Sequence, residues 1–408
     1  MGSAAAGLTS ELGGARRLQP APADEFVASV GLCVHLASAP YAEMFNEVLR
    51  WARSLGVRHF RDDLRPSDDL RRWRVLFDQA GVRAHLLVSP STNSPGDMID
   101  YVRALGPKIV AAIEGQNEGD SAWFQSQPSG QPSWARAVID YQRSVYEAVR
   151  AEYPADILPV VSPTVLDYRP LDMQALREAA PYCDIVALHA YVQEEQQPET
   201  EDPYAGLEWY LREMRDPFKP GAPAMITEAG YRTGSTGVSA RAAAVYLPRL
   251  LLNAFDRGIV RSFIYEMLDE GQDASDPEQN YGLIGADGTP KPAYHALCVL
   301  LNALSDPGPT FSPERFAIEL RHAPPDLRCC TFAKRDGERW LALWRALPVW
   351  DKAAKVDLPF RPAVVEIGLD RAPRQASMRR VWPESRWEML PDLTLSVSDV
   401  VTLVRLIV

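Results

Sequence analysis

The sequence predicts an α/β protein: a closed (β/α)8 TIM barrel followed by a small all-β sandwich. Three observations lead there. Short apolar runs and segments of helical spacing alternate eight times over roughly 275 residues, the pattern of a parallel sheet wrapped by helices. The first turn, Ala37-Ser38-Ala39-Pro40, lacks the Gly-rich signature that an open doubly wound sheet usually carries there. Beyond Ser305 the helical spacing stops, and short alternating runs separated by turn residues take over.

Met1 to Val27 is Ala/Gly/Pro-rich at its start and reads as a flexible tail. Val30 to Leu36 is the first strand. Met44, Val48, Trp51 and Leu55 recur at helical spacing and stop at Gly56. Val57 to Asp63 is the second strand, with charge at its far end. Ser67 caps a helix running to Ala80 and ended by Gly81. Arg83 to Val88 is strand three, with its helix over Gly96 to Leu105, and Ile109 to Glu118 is strand four. A long amphipathic helix covers Ser133 to Tyr153. Strand five is Asp156 to Val165, followed by a helix over Leu171 to Ala180, and strand six is Asp184 to Tyr191. A Glu/Gln/Pro loop leads to a helix near Ala205 to Met214, then strand seven, Ala224 to Glu228. The helix Ala240 to Arg257 contains Pro248, where a kink is expected. Strand eight is Ser262 to Leu268, and the last helix is Ala293 to Leu304. Asp306-Pro307-Gly308-Pro309 is a linker. Phe316–Leu320, Arg328–Phe332, Trp340–Trp344, Val364–Gly368, Leu393–Val397 and Val400–Val408 are short strands, with Asp336-Gly337 as a hairpin turn. The chain therefore divides into a tail (1–27), a barrel (28–304) and a sandwich (305–408), the last packing on the barrel or, alternatively, binding sugar.

With 46% hydrophobic and 24% charged residues, the chain can bury a sizeable core. A formal net charge of −11 argues against a nucleic-acid or anionic-membrane partner. Five cysteines without CxxC spacing suggest neither a zinc site nor a disulfide framework. No stretch has the apolar core of an export signal or the length of a membrane span. The chain as given reads as cytoplasmic, with a leader already removed as the alternative. Oligomeric state is not encoded in any of these features.

Strands four and seven both end in a carboxylate: Ile113-Glu114-Gly115-Gln116-Asn117-Glu118 and Ile226-Thr227-Glu228. In a parallel barrel the C-terminal ends of all strands open on one mouth. Glu118 and Glu228 are thereby placed across that mouth from one another. Breaking a sugar acetal needs a proton for the leaving oxygen and a negative group for the cationic centre, and two carboxylates supply both. The bland alternative is a pair of surface acids at strand ends. The six histidines include no HxH and no HExxH, so no metal is expected. His35, His59 and His85, one on each early strand, read as barrel packing. There is no Gly-x-Ser-x-Gly elbow or phosphate loop, and no cofactor is expected.

This pattern resembles the clan of (β/α)8 retaining glycoside hydrolases with Asn-Glu ending strand four and Glu ending strand seven, closest to its family 39-like and family 5-like members. The resemblance covers roughly residues 28–304. It implies Glu118 as acid/base, Glu228 as nucleophile and Asn117 on the sugar 2-hydroxyl. It implies Arg61 beside the nucleophile, with His189 and Tyr191 ending strand six and Glu114 as the acid four residues before the acid/base. Asn280-Tyr281-Gly282-Leu283 and Asp287 to Tyr294 look like these enzymes' exit loop and final helix. Two departures stand out. Tyr265-Glu266-Met267 replaces the usual strand-eight Trp, and Gly119 replaces a common Pro. Glu266 is then a candidate for a sugar hydroxyl or amino group, and Tyr231 for sugar stacking or hydroxyl donation. Trp123 and Trp134 form either a sugar platform or loop packing. For Arg61 the structural alternative is a salt bridge to Asp62, Asp63 or Glu114, and for His189 and Tyr191 a core position.

The implied activity is hydrolysis of a β-type O-glycosidic bond in an oligo- or polysaccharide. Transglycosylation by the same residues and non-catalytic carbohydrate binding are the alternatives.

Overall fold

The computed structural model describes residues 16–65, 70–121, 134–166, 169–192, 195–202 and 206–408. Its central feature is an eight-stranded parallel sheet: β3 (Val30–Cys33), β4 (His59–Asp63), β5 (Arg83–Leu87), β6 (Val110–Glu114), β7 (Val160–Val161), β8 (Val186–His189), β9 (Ala224–Ala229) and β10 (Ser262–Ile264). Each pairs with its chain neighbour, and β10 pairs with β3. The parallel bridge Val161↔Ile185 joins β7 to β8 and closes the ring. Strands four and seven of the sequence reading are thus β6 and β9.

Helices α2 (Phe45–Leu55), α3 (Leu70–Ala80), α4 (Pro95–Leu105), α5 (Trp134–Arg150), α6 (Pro170–Ala175), α7 (Leu207–Tyr210), α8 (Ala240–Asp256) and α9 (Pro292–Leu304) connect the strands. Ser67, the expected cap of α3, lies outside the described residues. Ser94 caps α4 in a capping box with Asp97, and Gly56 ends α2 in the left-handed conformation. The barrel interior is small-residue-rich: Cys33, Ala112, Val161, Ala187 and Met225 surround Phe263. Gly31 is part of that design, because a Cβ there would stand 2.4 Å from the Phe263 ring.

The C-terminal region is a sandwich. Its four-stranded sheet runs β1-β11-β16-β19 and its six-stranded sheet β18-β17-β20-β13-β12-β2. Its strands are β11 (Phe316–Arg321), β12 (Leu327–Ala333), β13 (Arg339–Arg345), β16 (Ala363–Leu369), β17 (Gln375–Arg380), β18 (Glu388–Met389), β19 (Thr394–Val397) and β20 (Thr402–Ile407). A hairpin, β14 (Trp350–Asp351) with β15 (Val356–Asp357), stands apart.

The reading of residues 1–27 as a flexible tail is corrected for residues 16–27. β1 (Arg16–Leu18) pairs antiparallel with β11, β2 (Ala21–Pro22) pairs parallel with β12, and α1 (Ala23–Ala28) leads straight into the barrel. Phe26 meets Phe255 of α8 and Phe332 of β12 with ring centroids 5.5 and 5.7 Å apart, stitching the two regions together. Each such buried ring contributes roughly 1.5–3 kcal/mol.

A second link is ionic. Arg249 of α8, fully buried, pairs with Glu199 and donates to the Leu347 carbonyl at 2.9 Å, while Trp344 of β13 donates to Glu199 at 2.6 Å. Among the described residues no helix is long and apolar enough to cross a membrane.

Candidate active site

The barrel mouth is built from the charged ends of apolar strands. β6 is buried along its whole length, as a strand covered on both faces must be, and it ends in Glu114, which is fully buried. A carboxylate there needs partners. It accepts from Arg61 Nε at 2.7 Å and Nη2 at 3.0 Å, and His85 Nε2 lies 2.7 Å away. Burial alone would raise its pKa, but Arg61 and His85 together hold this carboxyl well below the usual range. Glu114 is therefore a fixed anchor for Arg61.

Arg61, on β4, spends its remaining donors on the mouth. Nη1 donates to Glu228 Oε1 at 2.8 Å and Nη2 to Asn117 Oδ1 at 2.8 Å. The rigid guanidinium fork thus sets three groups from two strands in one plane. Tyr191, just past β8, donates its hydroxyl to Glu228 Oε2 at 2.9 Å. Both oxygens of Glu228 are held. The two sequence readings of Arg61, salt bridge and partner of the strand-seven Glu, are realised at once.

Glu118 sits on the turn after β6 with φ 41°, a left-handed conformation unusual for a residue with a Cβ. Its N–H donates to Thr164 Oγ1 at 3.0 Å and the Gly119 N–H to the Thr164 carbonyl at 3.3 Å, so the segment after β7 pins the turn. Glycine is required at 119 because a Cβ would stand 2.6 Å from Val138 of α5. His189, its side chain fully buried, places Nδ1 2.8 Å from Glu118 Oε1 and 3.6 Å from Glu228 Oε2. Burial would lower the His189 pKa, but the two carboxylates raise it. Burial would raise that of Glu118, but the hydrogen bond from His189 lowers it. The opposite directions favour an ion pair, imidazolium beside carboxylate. An oxygen of Glu118 and one of Glu228 lie within 4.8 Å of each other.

Glu118, Glu228, Arg61, Asn117, Tyr191 and Tyr231 all line one cavity of about 460 Å³, a size suited to a small-molecule subsite. His189 lies behind its wall. Tyr231 contributes its ring, tilted against Tyr246 with centroids 5.1 Å apart, but its hydroxyl already donates to the Gln196 carbonyl at 2.8 Å. Hydroxyl donation to a sugar by Tyr231 is thereby corrected to a wall-forming role.

Glu266 is also corrected. It does not line the cavity: it is fully buried behind it, accepting from the Tyr41 hydroxyl at 2.7 Å, and Tyr265 takes the wall position. Trp134 packs at the start of α5 beside Gly119 and is not on the wall. Trp123 lies outside the described residues.

Sequence reasoning missed His35, Glu195, Arg232, Tyr265, Glu278 and Tyr281 as wall residues. His35 carried a signal, as the last polar residue of the first strand run. The others come from loops. His85, read from the sequence as barrel packing, is fully buried and partners Glu114. Glu118, His189 and Glu228 offer donor atoms close enough for a cation, yet Arg61 already places its charge against Glu228, which disfavours a metal there. All five cysteines are free.

No family model matches the sequence, and no curated protein matches it. Solved structures do match the fold. A family 39 glycoside hydrolase from the gut symbiont Bacteroides cellulosilyticus superposes with a TM-score of 0.65 at 14% identity, covering 95% of this chain and 82% of its own. A glucosidase from Croceicoccus marinus gives 0.58 at 10% identity, covering 88% and 91%. A β-glucuronidase from Bifidobacterium dentium gives 0.50 at 17% identity, covering 69% of this chain and 47% of its own. At these identities the likeness is one of fold: a (β/α)8 barrel, in the first case spanning nearly the whole chain with its β-domain.

Proposed function

We propose that the protein is a retaining glycoside hydrolase that cleaves a β-type O-glycosidic bond of an oligo- or polysaccharide. One observation carries the reading: two carboxylates at the barrel mouth approach within 4.8 Å while their partners differ in kind. Retaining enzymes keep their two carboxyl groups about 5–5.5 Å apart, inverting ones about 6.5–9.5 Å. The similarity of fold to solved glycosidases supports the class.

Glu228, with both oxygens oriented by Arg61 and Tyr191, attacks the anomeric carbon. Glu118 takes the proton that His189 Nδ1 holds against its Oε1 and delivers it to the departing oxygen. The glycosyl–Glu228 ester then meets water, from which Glu118 withdraws a proton, restoring the starting state. Asn117, its Oδ1 occupied by Arg61, turns its amide N–H donors away from the guanidinium and toward a sugar hydroxyl. The barrel provides the site, and the sandwich supports its outer wall through Tyr246, which accepts from the Val349 N–H at 2.9 Å and packs against Tyr231.

The test is turnover of a panel of aryl glycosides and oligosaccharides by wild type beside Glu228→Ala. Hydrolysis of one glycoside class by wild type alone supports the reading; equal turnover by both proteins, or none by either on any glycoside, removes it.

A further inference from the structure

At the edge of the cavity, beside β3 and β10, lies a second cluster that the reaction above does not use. His35 follows β3, Glu266 follows β10, and Glu270 lies in the loop beyond it. His35 Nε2 is 3.6 Å from Glu266 Oε2 and 3.5 Å from Glu270 Oε1. These separations are long for hydrogen bonds. They match the edges of a coordination shell, since two ligands about 2.1 Å from one ion at a tetrahedral angle stand about 3.4 Å apart.

Three further observations point to a place for a positive charge. Glu266 is fully buried, and its Oε1 has no hydrogen-bond partner among the described residues; neither has the occluded Nε2 of His35. Neither Glu266 nor Glu270 has a Lys or Arg within ion-pair distance among the described residues, whereas the neighbouring Asp269 is paired with Lys291 at 2.7 Å. Tyr41 is oriented as a supporting group, accepting from the Leu268 N–H at 2.9 Å and donating to Glu266 Oε2.

We propose that His35, Glu266 and Glu270 bind a divalent transition-metal ion such as Zn²⁺ or Mn²⁺ at the edge of the catalytic cavity. One imidazole nitrogen with two carboxylates suits these ions, whereas Ca²⁺ and Mg²⁺ favour all-oxygen shells. His35 also lines the cavity, so the ion's remaining positions face the space a sugar would fill. The absence of HxH or HExxH spacing does not bear on this site, because its ligands come from opposite ends of the barrel sequence. The proposal stands apart from the assigned reaction and does not depend on it.

The experiment is equilibrium dialysis of the chelator-stripped full-length chain against Zn²⁺ and Mn²⁺, with thermal unfolding followed in parallel. Wild type and Glu228→Gln are expected to bind one equivalent of one ion and to show a raised Tm in its presence. Glu270→Gln, changed at a partly exposed side chain, and His35→Gln are expected to bind at least tenfold more weakly and to lose the Tm increase. No saturable binding by wild type overturns the proposal, as does binding of equal strength in Glu270→Gln and His35→Gln. Binding lost in Glu228→Gln but kept in Glu270→Gln also overturns it, by moving the ion onto the catalytic carboxylates.

Discussion

Replacing Glu118 with Gln isolates the proton from everything else that residue does. The amide has the same size, and its carbonyl can still accept from His189 Nδ1, now 2.8 Å from Glu118 Oε1. The turn pinned by Thr164 is untouched, because it uses only backbone of residue 118 and its neighbours. What disappears is a transferable proton. General acid catalysis contributes about 10²–10⁴-fold, which at 1.36 kcal/mol per decade is about 2.7–5.4 kcal/mol of transition-state stabilisation. That loss should depend on the leaving group. A nitrophenolate departs without protonation, so kcat/KM for its glycoside should fall little; an alkyl or sugar leaving group should show the full loss. The assay is kcat/KM over a series of glycosides graded by leaving-group acidity, wild type beside Glu118→Gln, with a steep dependence expected only in the variant. A uniform loss across the series would refute the reasoning, since it would mean that Glu118 binds or positions substrate and donates no proton.

Other consequences follow from the same geometry. Because the carboxylates raise the His189 pKa, the proton it holds against Glu118 is retained as pH rises past the ordinary imidazole value of about 6.5 and lost only through the raised one. The alkaline limb of kcat/KM should therefore lie above that value and move to lower pH in His189→Asn, measured as pH–rate profiles of the two proteins. Arg61→Met strips the guanidinium from two carboxylates, Glu114 and Glu228. Breaking such a buried network costs about 3–5 kcal/mol, to be read as a lowered denaturation midpoint that Glu114→Gln partly restores in the double variant. Gly119→Ala drives a Cβ to 2.6 Å from Val138 Cγ2, an overpacking of about 1–3 kcal/mol. It should displace Glu118 and reduce kcat, with Val138→Ala on the same chain recovering part of the loss.

The barrel and the positions of both glutamates were legible because each rests on a local signal. An apolar run that turns abruptly polar marks a buried strand and its mouth, and eight such units leave one sensible topology. Arg61 was legible as to strand and, through the resemblance, as to Glu228, but not as to its anchor, because a single sequence does not say which of Asp62, Asp63 and Glu114 it meets. Tyr265 and Glu266 were exchanged for a related reason. β10 ends at Ile264, so the alternation that assigns faces along a strand no longer applies one residue further on.

The wall residues Glu195, Arg232 and Glu278 come from connections with no period at all. The pairing of Arg16–Leu18 with β11, some three hundred positions away, is set by sheet context, which short strands do not announce.

The central claim is that Glu228 becomes covalently glycosylated. A slowly released 2-deoxy-2-fluoro glycoside of the sugar class that wild type turns over would trap that ester, and peptide mass spectrometry would locate it. One glycosyl unit is expected on the peptide carrying Glu228 and none in Glu228→Gln. Label on Glu118, or turnover with inverted anomeric configuration and no labelled peptide, would contradict it.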